Sequence, residues 1–216
     1  MQATRLIAIR HGETAWNVAT RLQGHLDIDL NDTGRWQANR VARALALAGE
    51  PIDALYASDL KRAWDTAGAI AAATGATPQV HTGLRERGFG VFEGQTHAAI
   101  EAQWPEQALR WRQREPHWAP AGGESLHAVR ERVAQTVAEL AGRHLGGQIV
   151  LVAHGGVMDA LYRLATQQDI QAPRTWELGN AAINRLLWTP NGLTLVGWAD
   201  QRHLDAQAVL DETSTR

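Results

Sequence analysis

Short apolar runs alternate along this chain with longer segments whose apolar residues recur at helical spacing. The apolar runs predict four strands, at residues 5–10, 52–57, 78–81 and 148–153. The helical spacing predicts four long helices, at residues 32–48, 59–74, 125–140 and 155–166. Two further apolar segments, 183–188 and 193–198, flank Pro190-Asn191-Gly192 and predict a hairpin.

Strands that alternate with helices in this way are typical of an α/β fold. We expect a three-layer α/β/α arrangement, with a mostly parallel central sheet, helices on both faces and an antiparallel addition at the C-terminus. The length of 216 residues suits one domain spanning residues 1–216. Glycines 83, 88 and 90 predict a tightly folded loop over 83–94, and the tail after Asp200 should be weakly ordered.

The segment 95–123 is rich in tryptophan and arginine, and it should form two short helices that act as a lid. Its arginines Arg110, Arg112 and Arg114, like His25 elsewhere, are candidates either for substrate contact or for a solvated surface.

Composition narrows the classes of protein that fit. The net charge of −2 gives no overall attraction to nucleic acid or membrane, and no apolar run is long enough to span a bilayer. Without cysteine, disulfides and thiolate metal sites are excluded, so we expect a soluble cytoplasmic protein. An edge strand in the C-terminal hairpin would allow a homodimer.

The chemically distinctive residues follow predicted strands. Arg10-His11 comes after the first strand, Ser58–Arg62 after the second and His154 after the fourth. Ligands of open α/β sheets bind outside the carboxyl ends of the strands, so these side chains should meet there. Because these residues are arginines and histidines without an acidic cluster to hold a metal, they favour a metal-free pocket for an anion. Phosphoryl transfer suits such a pocket, because it needs a nucleophile surrounded by positively charged side chains. The residues themselves leave open which histidine is the nucleophile.

A set of motifs in order resembles the histidine phosphatase (phosphoglycerate mutase-like) superfamily. The similar segments are LIAIRHGETAWN (6–17), RLQGHLDIDLNDTG (21–34), YASDLKRAWDTA (56–67), LRERGFGVFEG (84–94), GGES (122–125) and LVAHGGV (151–157). They cover most of residues 5–160, and their order makes the resemblance specific.

The resemblance implies a role for each matching residue. His11 would be transiently phosphorylated, and Glu86 would protonate the leaving oxygen and then deprotonate water. Other matching positions would surround the phosphoryl group or contact substrate: Arg10, Arg62, His154, Asn17, Gln23 and the backbones of Gly24 and Gly155. Three of these residues also have simpler explanations. Glu86 could form a salt bridge with Arg85 or Arg87. Asn17 could cap a turn, and Gln23 could be an ordinary polar residue of a loop.

The resemblance implies a metal-independent phosphomonoesterase that works through phosphohistidine on small phosphate esters, without a cofactor. One alternative is a cofactor-dependent phosphoglycerate mutase, which would need 2,3-bisphosphoglycerate and a closed basic lid. The segment 95–123 is compact and has neither a lysine nor an adjacent arginine pair, which favours the phosphatase branch. A second alternative is a module that binds phosphorylated ligands without turnover.

Overall fold

The computed structural model describes residues 2–205, and its elements alternate as the sequence predicts. Six strands form: β1 (Thr4–Arg10), β2 (Ala54–Ala57), β3 (Pro78–Val80), β4 (Gln148–Ala153), β5 (Ile183–Thr189) and β6 (Gly192–Asp200). Seven helices lie between them: α1 (Ala15–Val18), α2 (Asp32–Ala48), α3 (Lys61–Thr74), α4 (His97–Gln103), α5 (Pro105–Arg112), α6 (Leu126–Gly142) and α7 (Gly155–Thr166).

The strands form one sheet in the order β3-β2-β4-β1-β5-β6. Strands β1 to β4 pair in parallel, while β5 runs antiparallel to β1 and pairs with β6 as the predicted hairpin. The mostly parallel sheet with an antiparallel C-terminal addition is therefore confirmed. Because β2, β4 and β1 are neighbours, the three strand ends that carry the distinctive residues meet at one edge of the sheet.

Helices cover both faces of the sheet because successive side chains of β1 point to opposite sides. Leu6 and Ala8 pack into a core with α6 and α7. Ile7 and Ile9 pack into a second core with α2 and α3 on the opposite face. The three-layer prediction is confirmed.

Local capping explains most helix starts, and one predicted start is wrong. The Asn31 side chain accepts a hydrogen bond from the Gly34 N–H (2.7 Å) at the start of α2, and Ser125 caps α6 in the same way. Helix α3 begins at Lys61 instead of Asp59, and the Asp59 carboxylate binds the Arg85 guanidinium (2.7 Å) in place of capping the helix. Strand β2 is also shorter than the predicted 52–57, and the short helix α1 was not among the predicted elements.

The segment 95–123 forms the two short helices predicted for it, α4 and α5, around a small third core. That core contains Phe92, Ile100 and Ala108 with several partly buried aromatic rings. Arg114 ties the end of the segment to α7, since it donates to Asp159 (3.0 Å) and to the Ile170 carbonyl (2.7 Å). Its action as a lid stays a prediction.

Among the described residues, no helix is long and apolar enough to cross a membrane. Strand β6 is the outer strand of the sheet beside β5, so homodimer pairing along it stays a prediction. After Asp200, residues Arg202–Leu204 form a 3-10 turn. The rest of the predicted weakly ordered tail, from residue 206, lies outside the described residues.

Replacing Leu140 with alanine should lower the free energy of unfolding by about 2–5 kcal/mol, because it opens a cavity in the core under α6. Leu140 is fully buried, whereas Leu145 is about half exposed (49 %). Leu145→Ala is the matched control and should change stability by no more than about 0.5 kcal/mol. Denaturant titration measures both, and equal losses would contradict the assignment of this core.

Candidate active site

Three adjacent elements place imidazoles and guanidiniums in one buried cluster. Arg10 and His11 lie at the carboxyl end of β1, His154 follows β4 as the residue that precedes α7, and Arg62 lies in the first turn of α3. The His11 and His154 rings are 5.2 Å apart between centroids. His11, Arg62 and His154 are each at most 2 % exposed. The charges of Arg62 and Arg10 act on both imidazoles, so the structure brings these four residues together.

The His11 ring has a defined proton arrangement. Its Nδ1 lies 2.7 Å from the Gly12 carbonyl oxygen, which can only accept, so Nδ1 carries the proton and Nε2 keeps a free lone pair. The Gly12 N–H donates to the Thr66 hydroxyl (3.1 Å), which fixes this peptide against α3. A side chain at residue 12 would not fit, because a Cβ there would lie 2.3 Å from the Gly34 carbonyl oxygen.

Backbone carbonyls hold the two arginines. Arg62 donates to the carbonyls of Gly24 (2.8 Å) and Leu26 (2.9 Å), and Arg10 donates to that of Leu178. Within the described residues, the buried Nε atoms of both arginines and both ring nitrogens of His154 have no hydrogen-bond partner. Buried polar groups normally have partners, so the two guanidinium Nε–H groups and the single N–H of a neutral His154 are suited to a ligand with several acceptor oxygens.

Burial and positive charge keep both imidazoles neutral in the free protein. Burial, followed by the charges of Arg62 and Arg10, holds the pKa of His11 well below its ordinary value. The pKa of His154 is also held well below its ordinary value, first by burial and then by Arg62, His11 and Arg10. A neutral imidazole is what a nucleophilic histidine requires.

Glu86 lies beside this cluster, and backbone groups hold it. Its carboxylate accepts hydrogen bonds from the N–H groups of Arg87 (2.8 Å) and of Gly156 (2.9 Å) in the first turn of α7. A Cβ on Gly155 would lie 3.7 Å from both Glu86 Oε2 and Arg10 Nε, which places the acid next to the arginine. A Cβ on Gly156 would collide with Glu86 Oε1 at 2.4 Å. The salt-bridge alternative is wrong, because no ion pair joins Glu86 to a described residue.

The remaining predicted residues line the loops around the cluster. The Asn17 side chain caps α1 by accepting from the Thr14 N–H (3.0 Å), and its contact with substrate stays a prediction. Gln23 is buried, and its Oε1 has no partner in the described part of the chain. Gly24 has a positive φ of 52°, and its carbonyl oxygen supports Arg62. His25 donates from Nε2 to the Glu86 carbonyl (2.8 Å).

The three arginines of the segment 95–123, for which the sequence left open substrate contact or a solvated surface, all have acidic partners. Arg110 pairs with Glu115 (2.6 Å), Arg112 with Glu101 (2.6 Å) and Arg114 with Asp159 (3.0 Å). The structure thus favours a structural role for these side chains.

Sequence reasoning missed contributions from the loop between α7 and β5. Asn180 in this loop donates to the His11 carbonyl (2.9 Å), and Leu178 supplies the carbonyl that binds Arg10. The only available signal was the position of Asn180 just before a predicted strand, which is too weak to single out one polar residue. Across residues 2–205 there is no group of three or more side chains suited to hold a metal ion.

The lowered pKa of His11 predicts that its imidazole shows no titration centred at its ordinary value near pH 6.5, since protonation occurs only well below that value. Replacing Arg62 with glutamine removes a cation and should move the pKa upward, toward its ordinary value. Nitrogen NMR of labelled histidine measures both proteins. A His11 ring that gains its proton near pH 6.5 in the unmodified protein would contradict this account.

Comparison with known proteins agrees with this geometry. The sequence profile of the histidine phosphatase superfamily (branch 1) matches residues 6–201. Glucosyl-3-phosphoglycerate phosphatase of Mycobacterium tuberculosis is 40 % identical over 88 % of this chain and 89 % of that protein. The metal-independent phosphoserine phosphatase of Arabidopsis thaliana is 34 % identical over 97 % of this chain and 87 % of that protein. A solved structure of mycobacterial glucosyl-3-phosphoglycerate phosphatase with VO3 has a TM-score of 0.81 at 37 % identity, over 91 % of this chain and 99 % of that one. This chain therefore belongs to the histidine phosphatase superfamily.

Proposed function

We propose that this chain is a metal-independent phosphomonoesterase, which transfers the phosphoryl group of a small phosphate ester first to His11 and then to water. Relatives named as phosphatases of phosphorylated glycerate and serine compounds, one of them metal-independent by name, support this class of reaction. The proposal requires no cofactor.

One observation carries the proposal: the neutral His11 ring keeps a free Nε2 lone pair inside a cluster of positive charge. The hydrogen bond from Nδ1 to the Gly12 carbonyl fixes the tautomer and the ring orientation (2.7 Å). Attack of Nε2 on phosphorus forms the N–P bond while the bond to the leaving oxygen breaks. As Nε2 bonds, the ring becomes cationic, and the Gly12 carbonyl stabilises the Nδ1 proton.

The two arginines and His154 would stabilise the charge of the equatorial phosphoryl oxygens. Their backbone partners hold the guanidiniums of Arg10 and Arg62 before substrate arrives, so no reorganisation is needed in the transition state. An approaching phosphate dianion raises the pKa of a nearby imidazole, which would let His154 donate a hydrogen bond. We also propose as substrate contacts the side chains of Gln23 and Asn17 and the backbones of Gly24 and Gly155, the last at the start of α7.

Glu86 is proposed as the general acid and base. In the first step its proton goes to the leaving alcohol oxygen. In the second step the resulting carboxylate takes a proton from the water that attacks phosphohistidine, and His11 departs with its Nε2 lone pair restored. The two backbone N–H groups that hold Glu86 keep it beside Arg10, on one side of the cluster.

Hydrolysis is favoured over mutase activity by the charge state of the segment 95–123. A mutase needs free basic groups in its lid to retain a doubly anionic ligand and exclude water. Arg110, Arg112 and Arg114 are all neutralised by acidic partners. Comparing 3-phosphoglycerate with and without 2,3-bisphosphoglycerate tests the alternative, because a mutase would produce 2-phosphoglycerate in place of inorganic phosphate.

Trapping the covalent intermediate tests the proposal most directly. The protein is incubated with a panel of phosphate esters, quenched with base and examined by mass spectrometry for an added phosphoryl group that acid removes. A phosphorylated His11 peptide is the expected result. Absence of the adduct and of phosphate release with every ester would favour a non-catalytic module that binds phosphorylated ligands.

His11→Ala should reduce phosphate release on the order of 10³-fold or more while leaving the fold intact, because no other group supplies the nucleophile. His117→Ala, at an exposed position, serves as the control and should retain activity. Release is measured in the presence of a metal chelator, with circular dichroism to check folding. Turnover by the alanine variant under these conditions would overturn the mechanism.

Glu86→Gln should slow esters of poor leaving groups by about 10²–10⁴-fold, because the alcohol must be protonated as it leaves. Hydrolysis of p-nitrophenyl phosphate should fall far less, since p-nitrophenolate leaves readily without a proton. The ratio of the two kcat values in each protein provides the measurement. Equal slowing of both esters would remove Glu86 from the role of acid.

A further inference from the structure

The peptide group that joins His11 to Gly12 lies just beyond the end of β1 and is buried. Both residues are shielded from solvent, and the His11 N–H makes the last main-chain hydrogen bond at this strand end, to the Ala153 carbonyl (3.0 Å). Within residues 2–205, neither the His11 carbonyl nor the Gly12 N–H pairs with a main-chain group. Buried peptide groups almost always have partners, so side chains must supply them here.

Side chains from two distant elements hold the two ends of this peptide group. Asn180, in the loop between α7 and β5, donates from Nδ2 to the His11 carbonyl oxygen (2.9 Å). Thr66, in α3, accepts a hydrogen bond on its hydroxyl oxygen from the Gly12 N–H (3.1 Å). The two partners lie 169 and 54 positions away along the chain. Turning the peptide plane would break both hydrogen bonds, so the fold holds it in one orientation.

The Thr66 hydroxyl also connects this peptide group to Arg62. Thr66 is fully buried, and its hydroxyl donates to the Arg62 carbonyl one helical turn earlier (2.8 Å). Since a hydroxyl has a single proton, this bond leaves only the oxygen lone pairs for the Gly12 N–H. One side chain thus sets the position of the His11 loop relative to the turn of α3 that carries Arg62.

Residue 12 has to be glycine, because a Cβ there would lie 2.3 Å from the Gly34 carbonyl oxygen. Glycine has more backbone freedom than any other residue, so its carbonyl can turn unless neighbouring groups restrain it. That carbonyl accepts from His11 Nδ1 (2.7 Å) and so keeps the proton off Nε2. We propose that Thr66 and Asn180 are positioning residues, which together clamp the preceding peptide group and so hold the Gly12 carbonyl against Nδ1. The inference rests on the proposed function, in which Nε2 attacks phosphorus.

Thr66→Val tests this clamp, because valine keeps nearly the shape of threonine but removes the hydroxyl. Nitrogen NMR of labelled histidine in the ligand-free protein should show the His11 proton on Nδ1 in the wild type, and on Nε2 in part of the variant molecules. The kcat for phosphate release should fall about 10–100-fold, since a small misplacement of the reacting group has an effect of this size. Thr66→Ser restores the hydroxyl and should recover both the wild-type tautomer and most of the rate.

Thr74→Val is the matched control, because the Thr74 hydroxyl lies in the same helix and makes the same two kinds of hydrogen bond. It donates to the Ile70 carbonyl (2.8 Å) and accepts from the Ala76 N–H (3.3 Å). This variant should keep both the wild-type tautomer of His11 and the wild-type kcat.

Asn180→Ala removes the other half of the clamp and carries the test if Thr66→Val does not fold. It should give the same mixture of His11 tautomers. A proton that stays on Nδ1 in the folded variants would overturn the inference even if turnover is slower, because the loss of rate would then have another cause. The NMR measurement uses no substrate, so its outcome is separate from that of the phosphohistidine trap, whose failure overturns the proposed function itself.

Discussion

Two guanidiniums and two imidazoles are removed from water at one edge of the sheet, and the surrounding loops are arranged to make that burial possible. Positive groups in such proximity repel one another, and burial lowers the pKa of Arg10, of Arg62 and of both histidines. Backbone carbonyls of Gly24, Leu26 and Leu178 compensate the arginines with partial negative charge, without supplying a competing carboxylate. The cluster therefore keeps a strong attraction for an anion.

The sequence predicted the framework of this site because two simple constraints act together. Apolar runs define the strands, and parallel pairing brings their carboxyl ends to one edge. Arg10, His11 and His154 directly follow such runs, so their meeting required only that β1 and β4 be neighbours. The place of Arg62 in the cluster was predicted although the predicted start of its helix was wrong. A shift of two residues at the start of the helix does not move the strand that precedes it, so Arg62 still follows the end of that strand.

Features that depend on partners distant in sequence could not be predicted in this way. Arg110 and Arg87 look equally basic in the sequence, yet Glu115 pairs with the first, while the second is buried and forms no ion pair with a described residue. Whether an arginine is available for a ligand depends on such tertiary pairing. The same holds for Asn180, whose contact with the His11 carbonyl spans 169 positions of the chain.

The attachment of Glu86 limits how this site can vary. Main-chain N–H groups hold the carboxylate, so substitutions along α7 leave its anchor in place as long as the helix begins at the same residue. Gly156 is the exception, because any side chain there would occupy the space of the Glu86 oxygen. Protein engineers who diversify the first turn of α7 should therefore keep this glycine fixed, although it carries no reactive group of its own.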